Sequence, residues 1–231
     1  MGSWSIDVLK KPDHYHSMPR YLAFLLALLA AAPLHARELY VSQQHPRAAD
    51  TGAGTREAPL KTISAAAKIA QAGDTVTVAP GIYRESVKLT NSGLAAKPIV
   101  FQSETKHQAI ISGADVLTDP QDEGAGVYSY PVTKAYPVAY LGGNPQWVYL
   151  NGLPLERAET PDRLIPGSFY LDLKNQRVRV SLPEDEEITK VTLEYACREG
   201  LVAAEKPIND IHLKGFTLQH TANWFRGHGP I

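Results

Sequence analysis

From Tyr40 to Leu89 the chain reads YVSQQHPRAADTGAGTREAPLKTISAAAKIAQAGDTVTVAPGIYRESVKL, and its apolar runs are too short to bury themselves. The order is a short strand at Leu39 to Ser42, a glycine-rich loop at Gly52 to Thr55, and one amphipathic helix. A Gly-Asp turn comes next, then strands punctuated by Pro80-Gly81. Strands this short gain burial only by stacking on neighbours of the same kind, so the order predicts a solenoid.

The helix is legible residue by residue. Ile63, Ala66, Ala67 and Ala70 fall at i, i+3, i+4 and i+7 on one narrow apolar face, with Lys68 and Gln71 turned away. Thr62 is the expected N-cap and Gly73 the expected left-handed stop. An alanine-lined helix approaches its neighbour closely, so its expected place is over the open N-terminal end of a solenoid whose first rung begins at Thr75. The alternative, a surface helix of an α/β domain, ranks second because no further helix of this kind comes after it.

Beyond Thr75 runs a ladder of alternating apolar positions: Val76 and Val78, Val87 and Leu89, Ile99 and Phe101, then Ile110, separated by Pro-Gly, Ser-Gly or Lys-Pro breaks. Val76 to Ile99 and Val87 to Ile110 are both 23 residues, which predicts two strands per turn. The expected fold class is all-β: a right-handed parallel β-helix with an N-terminal capping helix.

The texture changes between about Asp115 and Glu199. VYSYPV at Val127, WVYL at Trp147, FYLDL at Phe169, VRVSL at Val178 and VTLEY at Val191 read as antiparallel strands. Asn151-Gly152 is a two-residue turn signal, and Lys174-Asn175-Gln176 separates two runs as a hairpin would. The block interrupts the period and is expected as an inserted antiparallel β-domain. The solenoid is expected to resume at Ile208 to His220. A rung left half written at Ile231 would expose strand edges, so the sequence is read as an N-terminal fragment, truncated at its C-terminus. The expected layout is 1–36 upstream extension and signal, 37–114 cap and first rungs, 115–200 insertion, and 201–231 resumed β-helix.

With 231 residues, 44% hydrophobic content and net charge −1, the chain is globular, and 23 basic against 24 acidic residues make no basic stripe for nucleic acid. Met18-Pro19-Arg20, the apolar stretch Tyr21 to Ala32 and Pro33 to Ala36 have the order of a secretory signal. Twelve apolar residues are too few for a membrane span, which takes about 20. The chain is therefore expected to be secreted or periplasmic, with cleavage after Ala36, initiation at Met18 and no membrane partner after processing. The single Cys197 excludes an internal disulfide and reads as a buried strand thiol.

YVS, GTREAPLKTISAA, AGDTVTVAPGIYRESV and KPIVFQS resemble the entry region of secreted right-handed β-helix proteins of the pectate-lyase-like superfamily. With WVYLNGLPLERAE, FYLDLKNQRVRVSLP and IHLKGFTLQHTANWF added, the order is similar to the β-helical β-xylosidases, whose solenoid carries an early inserted β-domain. The resemblance covers about residues 38–231. It implies a carbohydrate-active protein with an oligo- or polysaccharide partner, no cofactor, and a catalytic carboxylate pair on later rungs; no Asp or Glu here matches that pair. Three functions stand as expectations, led by the N-terminal part of a β-xylosidase-like glycoside hydrolase. A lyase or epimerase on a uronate polymer is second, and a non-catalytic carbohydrate-binding or cell-surface β-helix third.

The stretch expected to reach a substrate is His220 to Trp224. Trp224 offers an aromatic face for a pyranose, or a cover for the junction between solenoid and insertion. His220 is a partner for a sugar hydroxyl or an acid/base, against a strand-end histidine satisfied by backbone, and the second is preferred. Asn223 and Arg226 are possible ligand contacts, with loop hydrogen bonding preferred. The Arg84-Glu85 pair reads as structural, and Asp74 as the brace of the turn after Gly73. His212, His220 and His228 stand eight apart, without the close pairing of a metal motif.

Overall fold

The computed structural model describes residues 36–132 and 147–222. The expected signal stretch and the candidate residues Asn223, Trp224 and Arg226 lie outside them.

The first half builds three parallel ladders. β1 (Glu38–Val41), β2 (Thr75–Val78) and β5 (Ile99–Ser103) share the first, β3 (Gly81–Tyr83) and β6 (Ala109–Ser112) the second, and β4 (Val87–Leu89) opens the third. Leu39 stands beside Val76 and Val76 beside Phe101, all three buried, so the alternation of β-branched and apolar residues stacks one inward column. Val76 faces Phe101 and Ile82 faces Ile110, offsets of 25 and 28 residues rather than the 23 read from the sequence. The turn also holds three strands, not two. Gly81-Ile82-Tyr83 reads as a break because it follows proline. Gly81, however, opens β3 at φ +152, where an added Cβ would meet the Gln43 side chain.

α1 (Ile63–Ile69) packs against β4 and β1, burying Ile63, Ala65, Ala66 and Ala67. Thr62 is its N-cap, Oγ1 accepting from the Ala65 amide at 3.1 Å. The Glu85 carboxylate accepts from the Ile63 and Ser64 amides at 2.9 and 2.8 Å and takes the Ser64 hydroxyl as well. Arg84 and Glu85 are thus not a pair; each serves a different part of the fold. The helix stops at Ala70, whose backbone is extended. Gly73, at φ +95, shapes the next turn instead. Asn91 and Thr90 donate to the Ala70 and Ala67 carbonyls, satisfying acceptors the helix end leaves open.

Asp74 closes that turn and does more. It accepts from the Gln71 amide at 2.9 Å, the Arg37 amide at 2.9 Å and the Arg37 guanidinium at 2.6 Å. Burial pushes its carboxyl up, but the bonds from Arg37 and Gln71 outweigh it and hold the group below the ordinary aspartate range. A depressed folded pKa contributes stability that is present above the unfolded value of about 3.9 and lost as pH falls through the folded value. Asp74→Asn should therefore melt earlier than the parent at pH 7, and the gap should close as pH drops below about 4. A gap constant from pH 7 to pH 3 in calorimetric melts would contradict this.

The chain then leaves the ladders. β7 (Ala114–Val116), β8 (Gln121–Gly124), β9 (Val127–Pro131), β10 (Val148–Leu150), β11 (Leu153–Pro154), β12 (Glu156–Ala158), β13 (Ser168–Asp172), β14 (Arg177–Ser181) and β15 (Leu193–Ala196) form two sheets, ordered β11-β10-β15-β7 and β12-β13-β14-β9-β8. The pairings are antiparallel except β12 with β13, which is parallel. Asn151 and Gly152, at φ +49 and +84, make the tight turn between β10 and β11. This block has its own core around Tyr130, Phe169, Val178, Val180 and Tyr195, separate from the core of the ladders around Val76, Tyr83, Ile99 and Ile111. Burial raises the Tyr130 hydroxyl to about 12. Cys197, one residue past β15, is buried with Sγ 3.2 Å from the Asp115 carboxylate.

β16 (Val202–Ala204) returns to the third ladder beside β4, β17 (Ile211–Lys214) to the first beside β5, and β18 (Thr217–Gln219) to the second beside β6, all parallel. The return precedes the Ile208 expected from the sequence, since Val202-Ala203-Ala204 carries too little apolar alternation to read as a strand. The ladders are visited in the same cyclic order before and after the block. Leu213 and Leu218 continue the columns of Phe101 and Ile111 but are 40% and 53% exposed.

Candidate functional site

His220 follows β18 directly, in a left-handed backbone conformation at φ +57. Its ring lies on Tyr149, centroids 3.8 Å apart and planes 17° from parallel. Nδ1 is buried, 3.4 Å from Glu194 Oε2, outside hydrogen-bonding geometry. The partners are therefore side chains of the block rather than the backbone groups the sequence suggested.

Tyr149 and Glu194 are opposite neighbours on β10 and β15, so the antiparallel register alone puts them on one face. Glu194 is 5% exposed, and its other oxygen takes Arg84 Nη1 at 2.5 Å. The same Arg84 nitrogen donates to the Ala114 carbonyl at 2.7 Å. One buried carboxylate thus joins the segment after β3, the block and the segment after β18. Burial raises the Tyr149 hydroxyl above its ordinary range, and the Glu194 charge adds to it. Beside this cluster Arg198 and Asp115 pair at 2.7 Å.

The chemistry open to this cluster is limited by access. A carboxylate committed to a guanidinium and shielded from solvent stabilises a junction; it is not placed to protonate a departing sugar. One face of the His220 ring is taken by Tyr149, and the side chain is only 11% exposed. Sequence reasoning found His220 but missed Arg84, Tyr149 and Glu194 as its companions. The alternation of Tyr149 in WVYL and Glu194 in VTLEY marks their faces, but nothing in the sequence pairs the strands.

Residues 47–92 match a family described as a protein of unknown function, DUF1565. The chain is 38% identical over 78 residues to the uncharacterized protein YwoF of Bacillus subtilis, and 33% identical over 109 residues to pectate lyase PEL9 of Emericella nidulans. These stretches cover 34% and 46% of the chain but only 16% and 24% of the two relatives. Among solved structures, the complex of XylC with xylose superimposes at TM-score 0.68 and 22% identity over 80% of this chain and 36% of that one. A second, a glycoside hydrolase, gives 0.63 and 14% over 80% and 51%. The chain thus shares the fold of these two solved structures over most of its length, and is similar in sequence over a shorter stretch to a pectate lyase.

Proposed function

We propose that the chain is the N-terminal part of a secreted or periplasmic carbohydrate-active protein, a β-xylosidase-like glycoside hydrolase whose catalytic carboxylates lie on rungs beyond it. In this reading the ladders are turns of a right-handed solenoid, α1 caps its first turn, and residues 115–200 are an inserted domain that the Arg84–Glu194–His220 cluster locks in place. The observation that carries the carbohydrate reading is the 33% identity to a pectate lyase. The likeness of fold across most of the chain to a glycoside hydrolase, and to XylC in complex with xylose, supports the hydrolase version over the others. The same pectate lyase match favours a second reading, elimination on a uronate polymer.

Glycoside hydrolysis needs a general acid and a nucleophile or base, the carboxyl groups about 5 to 5.5 Å apart for retention and about 6.5 to 9.5 Å for inversion. Loss of either partner costs about 100- to 10,000-fold. The 231-residue chain should therefore be inert on an aryl β-xyloside, whereas a product extended past Ile231 should release the aryl group. Turnover by the 231-residue chain would place the acid within it. Unsaturated products absorbing in the ultraviolet, formed from a uronate polymer by the extended product, would favour elimination instead.

A further inference from the structure

A second concavity on the described surface does not include His220 in its lining. It is a groove of about 580 Å³ between α1 and the third ladder, where Lys68, Lys88, Lys206 and Glu205 gather. Three ammonium groups face it against one carboxylate. Lys88 Nζ and Glu205 Oε1 are 2.8 Å apart and neutralise each other, both well exposed. Among the described residues, Lys68 and Lys206 have no carboxylate within ion-pair distance. The groove therefore keeps a net positive lining. That charge does not come from a helix end, because Glu85 already occupies the first amides of α1.

Three hydroxyls also line the groove, and the fold orients them. Ser64 Oγ donates to Glu85, Ser86 Oγ to the Gly200 carbonyl at 2.7 Å, and Thr90 Oγ1 to the Ala67 carbonyl at 3.2 Å. With their protons spent inward, their lone pairs are left as acceptors for hydroxyl donors. Leu89, 8% exposed, adds an apolar floor. Ammonium groups for an acid, oxygen acceptors for hydroxyls and an aliphatic surface for C–H bonds are complementary to one chemical class.

We infer that this groove binds an acidic saccharide segment, its carboxylate or sulfate held by Lys68 and Lys206 and its hydroxyls donated to Ser64, Ser86 and Thr90. The inference rests on the carbohydrate reading and adds to it a place and a charge. Glu205 tunes the site by holding Lys88, so two rather than three cations are available.

Titration calorimetry on the 231-residue chain decides it, with three ligands of similar length: oligogalacturonate, its methyl ester, and a sulfated neutral oligosaccharide. Acidic ligand should bind and weaken with added salt, and the methyl ester should bind at least several-fold more weakly. In the Lys68→Gln/Lys206→Gln variant acidic affinity should fall about tenfold, each exposed ion pair being a modest contribution, while Lys68→Arg/Lys206→Arg should retain it. Preference for galacturonate over the sulfated ligand identifies carboxylate as the recognised group, and the reverse identifies sulfate. Equal affinity for acid and ester, or an unchanged Gln variant, would overturn the groove assignment while leaving the carbohydrate reading intact. Failure of all three ligands would overturn the groove assignment; the carbohydrate reading would then stand or fall on the glycosidase and lyase assays alone.

Discussion

Replacing Glu194 by alanine should destabilise the chain by about 1.5 to 3 kcal/mol, the cost of removing a buried charged acceptor from a guanidinium that keeps partial access to solvent. For a chain of this size that is a fall in melting temperature on the order of 5 °C. The reason is the arrangement at the junction: Glu194 is buried, Arg84 is its partner at 2.5 Å, and His220 stands beside its second oxygen. Removing the carboxylate leaves Arg84 with the Ala114 carbonyl as its acceptor among the described residues. His220→Ala should cost less, about 0.5 to 1.5 kcal/mol beyond buried area, because it loses a ring stack and leaves the Arg84 pair intact. Denaturant melts of the two variants check both the size and the order. A Glu194→Ala loss under about 1 kcal/mol, the range of an exposed pair, would mean that the junction is not held this way.

Gly113→Ala is expected to be comparably damaging for a different reason. Gly113 is the residue at which the chain passes from β6 into the block, and its amide donates to the Gln219 carbonyl at 3.0 Å. A Cβ there would lie 2.5 Å from the His220 carbonyl oxygen and 2.9 Å from Thr221 Cα. Both obstacles are backbone, so no side-chain rotation relieves them, and the expected cost is about 1 to 3 kcal/mol or more. Gly152→Ala is the control: nothing lies near its Cβ, although its φ of +84 carries a smaller penalty, roughly 1 kcal/mol. A Gly113→Ala variant as stable as the parent would show that the His220 backbone can move away. Fluorescence of the tryptophans through a urea transition is a sufficient readout.

Local chemistry was the legible part of this fold. The Thr62 cap, the apolar face of α1, the Asn151-Gly152 turn and the strands around Val76 and Phe169 each depend on residues adjacent in sequence or one turn apart. Register was not legible. The interval of 23 was a coincidence of apolar spacing, because Val87 pairs with Val202 and Ile110 with Ile82 and Thr217. Turns of unequal length hide the true offset from any fixed period. The junction was harder still: Arg84, Tyr149, Glu194 and His220 are scattered along the chain, and only the completed pairing of β10 with β15 assembles them. Glu85 was missed as the helix cap because it follows α1 in sequence, whereas capping signals are sought before the first turn.

Ala114 and Ala196 face each other where β7 runs out of the ladders and β15 runs back. Opposed residues of an antiparallel pair are about 4.5 to 5.5 Å apart, so the chain departs and re-enters at nearly one point. The ladders' path is then indifferent to how many residues are spent on the excursion. Such an anchorage is an exchangeable cassette: a short hairpin, a larger sheet or a foreign binding module can be grafted between the same two alanines without redirecting β16. What constrains the exchange is a pair of carboxylates that any replacement must resupply, Glu194 to Arg84 and Asp115 to Arg198.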